Sequence, residues 1–227
     1  MKFEELLAIV EDEPVFETGW LMTGRPVDSG LQAQLSRWTR AGRLHQFKRG
    51  LYALAPPYRK VTADPFVIAN RLMPGSYVST HSALAFAGAI PEYVAVTTSC
   101  GPGRPHTRET PRGRHIFQHL SPEMLNLSAG GVAGYRQVEL VGDHRAFVAA
   151  PEKALLDMAY LTVGADDARW IEEMRLNHEM IDTGFLIALA KASRKPKLLR
   201  FARRVAANGS GAESRPWLAA NRAGAGA

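Results

Sequence analysis

A chain of 227 residues, 46% of them apolar, is long enough to bury one large core or two ordinary ones. No run approaches the ~20 apolar residues a membrane span needs, and Met1-Lys2-Phe3-Glu4-Glu5 lacks the basic-then-apolar layout of a secretory leader, so the expectation is a soluble, cytoplasmic protein with no membrane partner. The lone Cys100 excludes an internal disulfide and a cysteine-rich zinc site, and the net charge of +6 points towards a polyanionic partner.

The charge is unevenly spread. Residues 1–23 carry one base against six acids, a net −5, whereas residues 24–60 carry eight bases against Asp28 alone, a net +7. Such a reversal within one small unit implies one face turned to water and another to a polyanion.

In chain order, Phe3, Leu6, Leu7 and Val10 have helical spacing, and Pro14 ends that helix. A short second helix is expected over Glu17–Met22, followed by turn chemistry at Gly24-Arg25-Pro26. Asp28 or Ser29 can cap a third helix with Leu31, Leu35 and Trp38 on its buried stripe and Gly42 as its stop. Strands at Leu44–Phe47 and Leu51–Leu54 then meet at Lys48-Arg49-Gly50. Three helices and a hairpin in that order form the winged helix-turn-helix layout, here over residues 1–58.

Pro56-Pro57 and the stretch to Asp64-Pro65 read as a linker into a second domain, residues 59–207, of mixed α/β character and ending in helices. Its expected helices cover Phe66–Leu72, Ser79–Ala87, a segment opening at Pro151 and running through Tyr160, Asp167–Asn177, Phe185–Lys191 and Lys197–Ala206. Its expected strands are Tyr93–Ser99, Ile116–His119, Gln137–Val141 and Ala146–Val148, with a Gly-, Pro- and Arg-rich loop over Gly101–Arg114. Residues 208–227, mostly Gly, Ala and Ser, read as a disordered tail despite Trp217. The fold class is therefore α+β.

On the third helix, an inward Leu31–Leu35–Trp38 stripe turns Ser29, Ala33, Ser36, Arg37 and Arg40 outward, with Gln32 at the edge. This face suits a DNA major groove, since Arg pairs with the two acceptors of guanine, Gln pairs with adenine, and small residues permit close approach. Lys48 and Arg49 at the hairpin tip would meet phosphates or the minor groove, and Arg25 joins the DNA-binding set. An exposed helix face is polar in any protein, and charges on a hairpin discourage aggregation, so both features also have a purely structural explanation. Two further basic groups are Arg104, Arg108 and Arg112, with His106 and Arg114, and Lys195, Lys197, Arg200, Arg203 and Arg204, with Lys191 and Arg194. They would either extend a nucleic-acid or partner footprint or form a solvated surface.

Enzyme motifs are missing. Gly101-Pro102-Gly103 lacks the Gly-Lys-Ser/Thr ending of a phosphate loop, His115 and His119 have no nearby third ligand, and Ser79 and Ser82 lack a nucleophile elbow. The expectation is a non-enzymatic protein without metal or cofactor.

Several stretches together carry a family resemblance: Ala41-Gly42-Arg43-Leu44 leading to Lys48-Arg49-Gly50-Leu51-Tyr52-Ala53-Leu54, then Pro74-Gly75-Ser76-Tyr77-Val78-Ser79 with Ser82-Ala83-Leu84, and Ala150-Pro151-Glu152-Lys153-Ala154-Leu155-Leu156-Asp157. Over roughly residues 3–165 the chain resembles the AbiEi family of antitoxins and transcriptional regulators of type IV toxin-antitoxin systems. The resemblance implies a repressor of its own operon that binds inverted repeats upstream of it. It also implies an antitoxin that neutralises a nucleotidyltransferase-type toxin, directly or through the toxin's target or product. A stand-alone regulator without a toxin is the alternative. The Pro151–Asp157 stretch reads as a helix start with packing leucines.

Overall fold

The structure is a computed structural model that describes residues 1–22, 30–142 and 144–209. Arg25, Ser29, the expected turn at 24–26, the Asp28 or Ser29 cap and the tail from 210 onward lie outside the described residues. The fold is mixed α+β with helices at both ends of the described chain.

Helix α1 (Phe3–Val10) buries Phe3, Leu6 and Val10. A two-residue strand β1 (Phe16–Glu17) precedes α2 (Thr18–Leu21), and α3 (Leu31–Arg40) buries Leu31 and Leu35. Trp38 is partly buried, its ring edge-on to Phe3 at 5.2 Å. Strands β2 (Leu44–Lys48) and β3 (Leu51–Leu54) form the expected hairpin, and β1 adds to β3 through Phe16↔Tyr52 and Glu17↔Leu51. β1 escapes sequence reading because two residues show no period.

All four residues of β3 are buried, and its period of two explains how. Tyr52 and Leu54 enter the core formed with α1 and α3, whereas Leu51 and Ala53 enter the larger core of the rest of the chain. Phe47 and Val15 join that larger core as well. The hairpin is thus a shared wall between two cores. The expected linker is anchored too: Tyr58 packs edge-on against Phe3 at 4.9 Å, Ala63 is buried, and the Asp64 carboxylate accepts a hydrogen bond from Phe66 N at 2.7 Å to cap α4 (Pro65–Leu72).

Six strands make the main sheet: β4 (Tyr77–Val78), β5 (Thr97–Gly101), β6 (His106–Thr110), β7 (Gly113–His119), β10 (Tyr135–Glu139) and β11 (Arg145–Ala149). Their order is β10-β11-β4-β5-β7-β6, parallel at β11/β4 and β5/β7 and antiparallel elsewhere. Strands β8 (Ser128–Ala129) and β9 (Val132–Ala133) form a separate ribbon after the short helix α6 (Pro122–Leu125). Helices α5 (Thr80–Phe86) and α7 (Pro151–Leu161) pack together, and α8 (Ala168–Glu173), α9 (Thr183–Ala192) and α10 (Pro196–Asn208) follow.

Three expectations need correction. Tyr93–Val96 is not strand: these residues have β-forming side chains but no partner strand, and Tyr93 is fully exposed. The expected loop over 101–114 holds β6, a polar edge strand, HTRET, whose side chains give no apolar alternation to read. The expected helix over 167–177 ends at Glu173.

Candidate nucleic-acid interface

On α3, Arg37 and Arg40 are exposed in the last turn, and Ser36 is half-buried beside them. Among the described residues neither arginine has an ion pair. Their position also favours the helix itself, since cations at a C-terminus oppose its dipole. Gln32 is exposed, and its Nε2 donates to the Tyr52 hydroxyl at 3.2 Å, while Gln46 Nε2 donates to the same oxygen at 3.2 Å. That shared acceptor fastens α3 to the hairpin.

The hairpin tip divides its two bases. Arg49 is exposed. Lys48 instead turns towards α4, where its Nζ donates to Arg71 O at 2.7 Å and Leu72 O at 2.9 Å, filling the carbonyl end of that helix. Burial holds its pKa below the ordinary lysine value, opposed by Glu17 and assisted by Arg108. Gly50, at φ +84°, makes the turn, and its carbonyl accepts from Thr18 N at 2.9 Å and Thr18 Oγ1 at 3.4 Å. The tip is therefore held from two sides, by α2 and by α4.

Most of the other bases are tied internally. Arg108 Nη1 donates to Phe47 O at 3.3 Å and Arg112 Nε to Ala63 O at 3.2 Å, so the first binds the sheet to the hairpin and the second binds it to the segment before α4. On α10, Arg200 Nε pairs with Asp166 Oδ2 at 2.8 Å, Arg204 donates to the Asp166 carbonyl, and Lys197 donates to Thr162 O. The Arg200 hydrogen bond holds the Asp166 carboxyl below the usual range. Lys195 lies over the Tyr160 ring at 5.2 Å, while Arg104 and Arg203 are exposed. Sequence reasoning saw a basic cluster; only the fold reveals the acceptors that consume it.

A second polar constellation was missed. Lys153 and Asp157, one helical turn apart on α7, are fully buried and ion-paired. Lys153 Nζ also donates to the Tyr77 hydroxyl, which donates to Asp157 Oδ2 at 3.0 Å, and Ser79 Oγ donates to that oxygen at 2.7 Å. Tyr135 stacks on Tyr77 at 4.4 Å. A Cβ on Gly134, between β9 and β10, would stand 2.8 Å from Lys153 Cδ, so glycine lets the chain pass the lysine stem. The available signal was Lys153 and Asp157 inside a helix with no polar face for them to share. Tyr77, Ser79, Lys153 and Asp157 are all sealed from solvent, so these four hold structure and offer no access to a substrate. Burial and the Asp157 charge also push the neighbouring Cys100 thiol up.

Among the described residues no three His, Cys, Asp or Glu side chains are grouped to hold a metal ion, and no helix is long and apolar enough to cross a membrane. Neither a scan against protein-family models nor a search of the curated proteins gives a match to this chain.

Proposed function

We propose that the protein is a DNA-binding regulator whose first 58 or so residues act as a winged helix-turn-helix, with α3 as the reading helix. The observation that carries this is a contrast among the bases. Lys48, Arg108, Arg112, Lys197, Arg200 and Arg204 are all bound to backbone or carboxylate oxygens, whereas Arg37 and Arg40 stand exposed on one helix end without an ion pair among the described residues. Two exposed guanidiniums beside a small Ser36 suit bidentate pairing with guanine. Arg49 is the wing base that reaches a phosphate, and Lys48 positions the wing by fastening it to α4.

The larger unit takes the antitoxin role in this proposal: it neutralises a nucleotidyltransferase-type toxin, and the protein represses its own operon from upstream inverted repeats. The support is the resemblance of the 74–84 and 150–157 stretches, whose polar side chains converge on the Lys153–Asp157 pair. The test is fluorescence anisotropy on the upstream duplex and on a scrambled one across salt concentrations. Preference for the upstream duplex with a steep salt dependence supports the reading, and equal weak binding to both overturns it. Co-expression with the neighbouring toxin gene tests the antitoxin role, and unrelieved toxicity rejects it.

A further inference from the structure

A cleft of about 660 Å³ lies between α4, the β10–β11 edge of the sheet and β1. Its volume is within the range of small-ligand sites, about 300–1,000 Å³. The residues of β10 and β11 that face it follow from register. Gln137↔Phe147 and Glu139↔Arg145 are direct partners and so share one face, while Val138, Ala146 and Val148 point into the core. That face presents an unusual surface for a sheet edge. Phe147 is 43% exposed and meets the half-buried Tyr135 edge-on at 6.2 Å.

Polar groups surround this aromatic floor. Asn70 holds it in place, accepting from Phe147 N at 2.6 Å and donating to Phe147 O at 3.4 Å. Ser76, only 4% exposed, lines the cleft, and its buried hydroxyl has no hydrogen-bond partner among the described residues. A buried orphan hydroxyl costs stability unless something supplies its partner. Two exposed guanidiniums flank the cleft: Arg71 is 3.8 Å from Glu17 and lies over the Trp20 ring, and Arg145 pairs with Glu139 on the surface at 3.0 Å. Exposed pairs of this kind are weak, so a phosphate displaces them at little cost.

We infer that this cleft binds a nucleotide, with the base against Phe147 and Tyr135, the phosphate taken by Arg71 and Arg145, and the Ser76 hydroxyl satisfied by a polar atom of the ligand. Aromatic rings supply stacking that any base can use, and guanidiniums supply bidentate phosphate recognition. Glu17 opposes the phosphate and sets the affinity by competing for Arg71. The same chemistry is offered by a free nucleotide and by the phosphorylated end of a strand.

Calorimetric titration of the full chain with the four nucleoside monophosphates, with inorganic phosphate as the control, tests the site. At least one nucleotide binds saturably and phosphate alone does not. Phe147→Ala and Arg71→Ala each weaken binding by about tenfold, Glu17→Gln strengthens it, and Ser76→Ala weakens it while raising the apo melting temperature, an outcome a purely structural serine does not give. A 5′-phosphorylated dinucleotide separates the sources: affinity equal to the mononucleotide assigns a free nucleotide, and tighter binding assigns a strand end. Absence of saturable binding by every nucleotide, or binding unchanged in both Phe147→Ala and Glu17→Gln with folded protein, overturns the site.

Discussion

Lys153 and Asp157 form an ion pair with no solvent exposure, one turn apart on a helix that is buried along residues 151–159. Tyr77 and Ser79 both donate to the carboxylate oxygen that Lys153 does not bind. A buried pair contributes little net stability when intact, but removing one member leaves an uncompensated charge. Asp157→Ala is therefore expected to lower unfolding free energy by about 3–5 kcal/mol. The double variant Lys153→Met with Asp157→Leu recovers much of that loss. Urea titrations of the three proteins decide it, and a double variant as unstable as Asp157→Ala would show that the network itself, not charge compensation, holds the fold.

How much of this was legible in the sequence depends on distance along the chain. The stripes of α1 and α3 and the Lys48-Arg49-Gly50 turn are local patterns, and they read correctly because spacing alone decides which side chains meet. Lys153 meeting Tyr77 spans 76 residues, and no local pattern encodes it. Strand β6 was unreadable for another reason: an exposed edge strand needs no apolar alternation. Lys48 and Arg49 look alike in sequence, yet only the neighbour brought by the fold, the end of α4, separates them.

The three tied bases of α10 give a second test. Lys197, Arg200 and Arg204 all hold the 162–166 segment that follows α7. Their joint replacement by alanine is expected to lower stability by about 2 kcal/mol, the sum of a few charge-assisted hydrogen bonds at a solvated surface. The salt slope of DNA binding stays as in the parent protein. A slope that falls by about one unit per residue would place these bases on the phosphates instead.

Arg37 and Arg40 should behave in the opposite way. Replacing either by alanine is expected to leave urea stability within about 0.5 kcal/mol of the parent, as at ordinary surface sites. Discrimination between the upstream and scrambled duplexes falls by about 1–3 kcal/mol for an arginine that pairs with a base. Competition binding with the two duplexes measures this, and equal losses on both reassign that arginine to backbone contact.

Cys100 is fully buried in β5 with its thiol pKa raised, first by burial and then by the Asp157 charge. Thiolate is the reactive form, so a disulfide reagent is expected to label this cysteine only as fast as the protein opens. Labelling rates that follow the urea dependence of unfolding agree with this, and rapid labelling of the native protein contradicts it.

Acid stability gives the sharpest electrostatic test because two buried groups act in opposite directions. Burial raises the Glu152 carboxyl to about 7 from 4.5, against the pull of the Asp182 amide, which donates to Oε1 at 2.6 Å. A raised carboxyl contributes stability that is fully present below 4.5 and lost as pH rises towards 7. Burial lowers His115 to about 4 from 6.5, so its contribution is present above 6.5 and lost as pH falls towards 4. His45 and His178, also lowered by burial, act in the direction of His115. Between these limits the carboxyl offsets the histidines. Glu152→Gln removes the offset, so relative to the parent it loses about 3 kcal/mol on moving from the neutral to the acidic end of the window. Urea midpoints across that window measure the difference, and curves for variant and parent that run parallel would show that Glu152 titrates normally in the folded protein.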